Sequence, residues 1–312
     1  FSIPPSRTCI GPKTPGPLPF WFRRSFVIRV NIYMMRERFF LFRVRPGRCG
    51  YAPAAALFFF LTGPAFSRSP RPALAPLNPE FVKHQGDSGT AGAKSATARA
   101  FGTIPSSIDR SHDIGKKPAN EPKSRASLPS SYDLRTRGKV TPAKPQGRCG
   151  ACWAFAAMSV LESRLLPGRE RDLSENNLKD TNGFDSGPCA GGNSDKATAY
   201  LARWSGPWDE YSDPYSEHGG KRAPEFPSRR ARYHVQDAFS LPDRSGPTDN
   251  DVIKDALTAY GAVWTTFRWE GPTDESSPYY NAAAPAYAYY GKGEPNHSVA
   301  IVGWDDNYDR RK

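Results

Sequence analysis

The stretch Pro145-Gln146-Gly147-Arg148-Cys149-Gly150-Ala151-Cys152-Trp153-Ala154-Phe155 constrains this chain more than any other. Glycine-rich turn residues give way there to an alanine-rich apolar run, with Ala157, Val160, Leu161 and Leu165 recurring at helical spacing. The pattern predicts a buried helix from Trp153 to Leu166, stopped by Pro167-Gly168. Cys152 then stands at the helix N-terminus, where unpaired backbone N–H groups and the macrodipole favour negative charge. A thiol so placed is biased toward the thiolate, its nucleophilic form.

A cysteine nucleophile needs a base that takes its proton and later returns it to the leaving group, and histidine suits neutral pH. His297 lies 145 residues downstream and heads the apolar run Val299-Ala300-Ile301-Val302, a short buried strand. A strand there would hold the imidazole rigidly against the helix that carries the thiol. Three stretches then share one resemblance: Cys149-Gly150-Ala151-Cys152-Trp153, Asn296-His297-Ser298 leading into Val299 to Trp304, and Leu128-Pro129-Ser130-Ser131-Tyr132-Asp133-Leu134-Arg135. In motif, order and spacing they resemble the papain-like cysteine peptidases, which usually carry Trp where Leu134 stands.

The resemblance implies an α+β, papain-like two-lobed fold with a helical lobe and a β-rich lobe. It implies a cysteine-type endopeptidase acting on peptides or proteins, with Cys152 as nucleophile and His297 as general base and acid. Gln146, six residues before Cys152, matches the glutamine whose amide helps bind the tetrahedral oxyanion, with the Cys152 N–H as second donor. Gly191 and Gly192 match glycines that let a substrate backbone pair closely in the cleft. Cys149 and Cys189 match a family disulfide closing a loop of about 40 residues, worth about 3–4 kcal/mol in the chain-entropy model. Thr181 replaces a second disulfide's cysteine, and no partner cysteine follows near Pro214-Tyr215.

One departure bears on catalysis. The family completes its catalytic group with an Asn in an Asn-Ser-Trp motif, which would fall beyond Lys312, so the β-rich lobe is expected to be C-terminally truncated. Asn307, in Asp305-Asp306-Asn307-Tyr308-Asp309, reads as an exposed turn and is not promoted to that role. The alternative function is therefore a catalytically impaired, peptidase-like protein that binds peptides without turnover. A redox pair at Cys149-x-x-Cys152 is the sharper chemical rival, but no strand precedes Cys149 as such motifs require. Only Cys189 could extend that pair toward a zinc site, so no metal and no cofactor are expected.

The formal charge of +12 raises the question of nucleic acid. Residues 1–125 carry 20 Lys and Arg against 6 Asp and Glu, a net +14, whereas residues 126–312 carry 23 against 25, a net −2. The motif-bearing part is nearly neutral, so no nucleic-acid partner is expected for it. Residues 1–33 read as a non-native or disordered leader, rich in Pro and Arg without periodicity. Residues 34–75 resemble a signal peptide: arginines from Arg36 to Arg48, an apolar stretch from Ala52 to Phe66, and Ala73-Leu74-Ala75 at the cut. Residues 76–127 read as a low-complexity linker or pro-segment with no long amphipathic helix. The peptidase-like domain is placed at 128–312. Together these predict a secreted or extracytoplasmic monomer without stable membrane insertion, since no apolar run is long enough to span a bilayer.

Further along, Ser174 reads as the N-cap of a short helix, and a third helix runs from Asn193 or Ser194 to Trp204. A strand is placed around Tyr233 to Phe239. Thr248 to Asp251 caps a helix ending at Gly261, and Val263, Thr265, Phe267 and Trp269 alternate as a strand. Residues 278–290 form an aromatic loop.

Overall fold

The computed structural model describes residues 26–29, 76–90, 102–109, 127–168, 171–218, 231, 233–242, 244, 246, 248–271, 277–283 and 285–308. In chain order the elements are β1 (Phe26–Arg29), α1 (Pro79–Thr90), β2 (Ser131–Asp133), α2 (Cys152–Leu165), α3 (Glu175–Thr181) and α4 (Ser194–Ala202). There follow β3 (Asp237–Ser240), α5 (Asp251–Tyr260), β4 (Val263–Phe267), β5 (Tyr280–Asn281), β6 (Ala286–Tyr287), β7 (His297–Ile301) and β8 (Gly303–Asp305). Helices dominate the first half and strands the second, an α+β arrangement with a helical side and a sheet side.

α2 is the central element. It buries residues on every side, from Cys152 and Trp153 through Met158 and Leu161 to Leu165, as a helix hydrophobic all round must. On one side it meets α3 and α4 through Leu173, Leu178, Tyr200 and Leu201, all fully buried. On the other it packs on β4 and β7, and the Ala262 N–H donates to Ser163 Oγ at 2.9 Å to tie helix to sheet. The caps of α3 and α4 follow from their sequences: Ser174 Oγ accepts from the Asn177 N–H at 2.9 Å, and Asn193 Oδ1 from the Lys196 N–H at 3.0 Å.

The sheet has the order β3-β1-β4-β7, with β4 and β7 antiparallel and Phe267 opposite His297. Two expectations change here. β4 does not alternate between core and water: Val263, Trp264, Thr265 and Thr266 are all buried, because the strand lies inside the sheet with α2 and α5 against it. The segment 1–33, whose composition predicts no element, contributes β1, paired antiparallel with β3 from Phe26↔Ser240 to Arg29↔Asp237. β2 pairs with β8, and residues 278–290 fold as the small hairpin β5–β6. The residues assigned to a signal peptide, 34–75, lie outside those described. No described helix is long and apolar enough to cross a membrane.

Candidate active site

Cys152 is the first residue of α2 and is 1% exposed. The loop before it is braced from outside. Tyr215 donates its hydroxyl to the Gln146 carbonyl at 2.7 Å, and Glu217 Oε2 accepts the Arg148 N–H at 2.9 Å. Gln146 Nε2 donates to the Cys149 carbonyl at 3.0 Å, which holds its amide over the turn that precedes the thiol. Cys149 is joined to Cys189 by a disulfide, leaving Cys152 as the free thiol. That bond consumes the partner a Cys149–Cys152 redox pair or a zinc site would need.

His297 opens β7 and faces Phe267 across the sheet, ring centroids 5.5 Å apart in an edge-to-face arrangement. The next residue brings the strand to the thiol, since the Ser298 N–H points at Cys152 Sγ from 3.4 Å. Behind Phe267, Trp269 and Tyr287 stack at 4.5 Å and complete an aromatic wall on the imidazole side. Gly191 and Gly192 lie across the cleft from this wall. A Cβ on Gly192 would run into the Trp153 ring, so only glycine lets that backbone reach the edge of the cleft.

That edge is occupied. Residues 102–109 cross the cleft, with Thr103 in a single parallel bridge to Gly192. The Gly192 N–H donates to the Gly102 carbonyl at 2.8 Å, and the Ile104 N–H to the Gly192 carbonyl at 3.0 Å. The Thr103 N–H donates to the Asn296 carbonyl at 3.1 Å. Thr103 Oγ1 lies 3.5 Å from Cys152 Sγ and 2.7 Å from Ser298 Oγ. Gly102, at φ +90°, rests on the Gly150 backbone with no room for a side chain. Beyond the cleft, Asn193 Nδ2 donates to the Pro105 carbonyl at 2.9 Å and Ser106 Oγ bonds Asp195. The start of α1 anchors the far end, with Asn78 Nδ2 on the Ser106 carbonyl at 2.9 Å.

This cover alters the electrostatics expected from a helix N-terminus. Burial pushes the Cys152 thiol up from its ordinary range, outweighing the bonds from Thr103, Ser298 and the Trp153 N–H that favour the thiolate. The sequence around Thr103 carries no motif, and its backbone bonds to Asn296 and Gly192 leave no signature in residue type. Asn307 sits in an exposed turn after β8, its N–H on Asp305 Oδ1 at 2.9 Å.

Residues 128–311 match the papain family cysteine proteases. Procathepsin L of Rattus norvegicus is 31% identical over 202 residues, covering 59% of this chain and 54% of the relative. Cysteine protease Amb a 11.0101 of Ambrosia artemisiifolia is 30% identical over 210 residues, covering 66% of this chain and 50% of the relative. The chain thus spans about half the length of these curated relatives. Among solved structures, the cysteine protease and lectin-like domains of Cwp84, a surface layer associated protein of Clostridium difficile, align with a TM-score of 0.56 and 26% identity, over 75% of this chain and 49% of that one. The thiol at the head of a buried helix and the histidine at the head of the facing strand thus belong to a matched span covering more than half the chain: this protein is a member of the papain family of cysteine proteases.

Proposed function

We propose that the chain hydrolyses peptide bonds in peptide or protein substrates through Cys152 and His297. The observation that carries this reading is the convergence of α2 and β7, where the residue after His297 contacts Cys152 Sγ. His297 takes the thiol proton and the Cys152 sulfur forms a bond to the substrate carbonyl carbon. The displaced electron pair rests on the carbonyl oxygen, beside the Cys152 N–H and the Gln146 amide once it swings from the Cys149 carbonyl. As the oxyanion collapses, the C–N bond breaks and His297 delivers its proton to the leaving amine. Water, deprotonated by His297, then cleaves the thioester and restores the thiol.

In the closed arrangement residues 102–109 fill the place a substrate would take, so turnover requires their displacement. We further propose that the protein is exported, on the support of the Cys149–Cys189 disulfide, a bond that persists in oxidising compartments. The test is hydrolysis of a fluorogenic peptide by the full chain. Cys152→Ala and His297→Ala should each remove activity by at least about a thousandfold, the scale of losing a nucleophile or its base. Full activity in Cys152→Ala overturns the mechanism. Peptide binding without turnover by the unaltered chain would favour a binding protein.

A further inference from the structure

The loop that carries Gln146 is held from outside by an arm, Asp213 to Glu217, for which the proposed reaction has no use. Tyr215 and Glu217 are alternate residues of that arm and grip the loop at two points. The Tyr215 hydroxyl donates to the Gln146 carbonyl at 2.7 Å, and Glu217 Oε2 accepts the Arg148 N–H at 2.9 Å. Between these points lies Gly147, at φ +61°, with the Glu217 carboxylate where a side chain would stand. The backbone on both sides of Gly147 is thus fixed, and with it the point from which the Gln146 amide projects.

The arm can serve as a brace because its root is buried and fully bonded. Asp213 accepts the amides of Asn176 and Asn177 at 2.8 Å each, and its carbonyl takes the Ser174 hydroxyl at 2.6 Å. Asn176 Oδ1 accepts from the Ser216 N–H at 3.2 Å and from Lys179 Nζ at 2.8 Å. Glu210 Oε1 accepts the Tyr215 N–H at 2.6 Å, and the Tyr215 ring stands edge-on to Phe155 of α2, centroids 4.7 Å apart. No cysteine follows Cys189 in the sequence, so these bonds and not a disulfide seat the arm on α3. At its far end the arm meets the Cys149–Cys189 bridge, with the Glu217 carbonyl 3.5 Å from Cys189 Sγ.

We infer that Glu217, with Tyr215, is a positioning residue for the reaction: it holds the Gln146–Arg148 backbone so that the Gln146 amide meets the developing oxyanion. The inference rests on the proposed peptide hydrolysis and adds to it residues that act at one remove. A donor lowers the barrier only when it is in place before the charge develops, so a loop free to drift forfeits part of that gain. The effect of Glu217 on the reaction passes through Gln146.

The test is hydrolysis of a fluorogenic peptide by the full chain, with kcat and KM measured separately. Residues 102–109 compete with substrate for the cleft, so they raise KM and leave kcat unaffected. Glu217→Ala should lower kcat about tenfold at unchanged KM, a part of the roughly hundred- to thousandfold that losing a whole oxyanion donor costs. Glu217→Gln keeps an oxygen that can accept the Arg148 N–H and should hold kcat within about twofold of the unaltered chain. In a Gln146→Ala background Glu217→Ala should lower kcat no further, because the donor it positions is gone. A loss that persists in that background, a raised KM at unchanged kcat, or full activity in Glu217→Ala overturns the inference while leaving peptide hydrolysis standing. If the unaltered chain cleaves no peptide, the hydrolytic reading falls by itself. The brace is then read from hydrogen exchange at the Arg148 amide. Protection lost in Glu217→Ala and kept in Glu217→Gln sustains the positioning, and equal exchange in all three chains overturns it.

Discussion

Between α2 and α3 the apolar interior encloses a cluster of buried charges and amides, whereas behind His297 the packing is aromatic. On the helical side Lys144 Nζ lies 2.5 Å from Glu175, 2.7 Å from Asp172 and 3.6 Å from Glu162, with both glutamates fully buried. Asp213 receives the side-chain amides of Asn176 and Asn177, each at 2.8 Å. On the sheet side His297 leans on Phe267, which in turn packs on Trp269 and Tyr287. Cys152 thus lies on the side held by directional bonds that tolerate one arrangement, and His297 on the side held by contacts that tolerate several of similar volume. The difference predicts where the site is brittle and where it yields.

Removing the cation at the centre of the polar side should have the largest effect. Lys144→Met removes the cation facing the buried Glu162 and Glu175 carboxyls and should cost about 3–5 kcal/mol in urea unfolding at a pH where Glu175 is ionised. A loss comparable to a surface substitution would break the comparison. The same cluster has a pH signature. Burial alone would lower the Lys144 ammonium, but the surrounding carboxylates of Glu175, Glu162 and Asp172 outweigh it and hold it above the ordinary lysine range. Burial pushes the Glu175 carboxyl from 4.5 up to about 8 against the pull of Lys144. Between those values the unfolded chain has released a proton that the folded chain keeps, so stability should fall as pH rises through that window. Glu175→Gln should flatten this part of the curve, as read by the pH dependence of the unfolding midpoint.

Next in size is the disulfide. Replacing both Cys149 and Cys189 by serine frees a loop of 40 residues and should cost about 3–4 kcal/mol. Alkylation of Cys152 should then become faster, because the loop that Gln146 and Glu217 brace loses its anchor. The smallest effect belongs to the aromatic side. Phe267→Leu should cost about 1 kcal/mol, as hydrophobic swaps that nearly conserve volume do. It should lower kcat a few-fold by loosening His297 while leaving the alkylation rate of Cys152 unchanged. A change in both readouts would mean that nucleophile and base are not held separately.

These contrasts also explain what could be read from the sequence. The helices were legible because their signals are local: Ser174 and Asn193 cap within three residues, and Pro167-Gly168 stops α2 at its own end. The placing of Cys152 and His297 followed from motifs attached to those elements. The Lys144 cluster was not legible, since its members come from a loop, α2, and the approach to and first turn of α3, and meet only after packing. Thr103 escaped for the same reason, as did β1, whose partners lie near residues 240 and 264. Alternation at β4 misled because the rule describes a half-buried strand and this one lies inside the sheet.

The pairing of β2 with β8 has a consequence in time. Tyr132 stacks on Trp304, Arg137 and Lys254 lie over the two rings, and Trp304 Nε1 reaches the Pro129 carbonyl across 175 residues of sequence. A closure of that length is among the last contacts a chain can make, because its loop entropy must be lost before the bond is gained. During synthesis Ser131–Asp133 emerges early and has no strand to join until Gly303–Asp305 is made. The helical side can form around α2 before this clasp, which waits until Gly303–Asp305 has emerged.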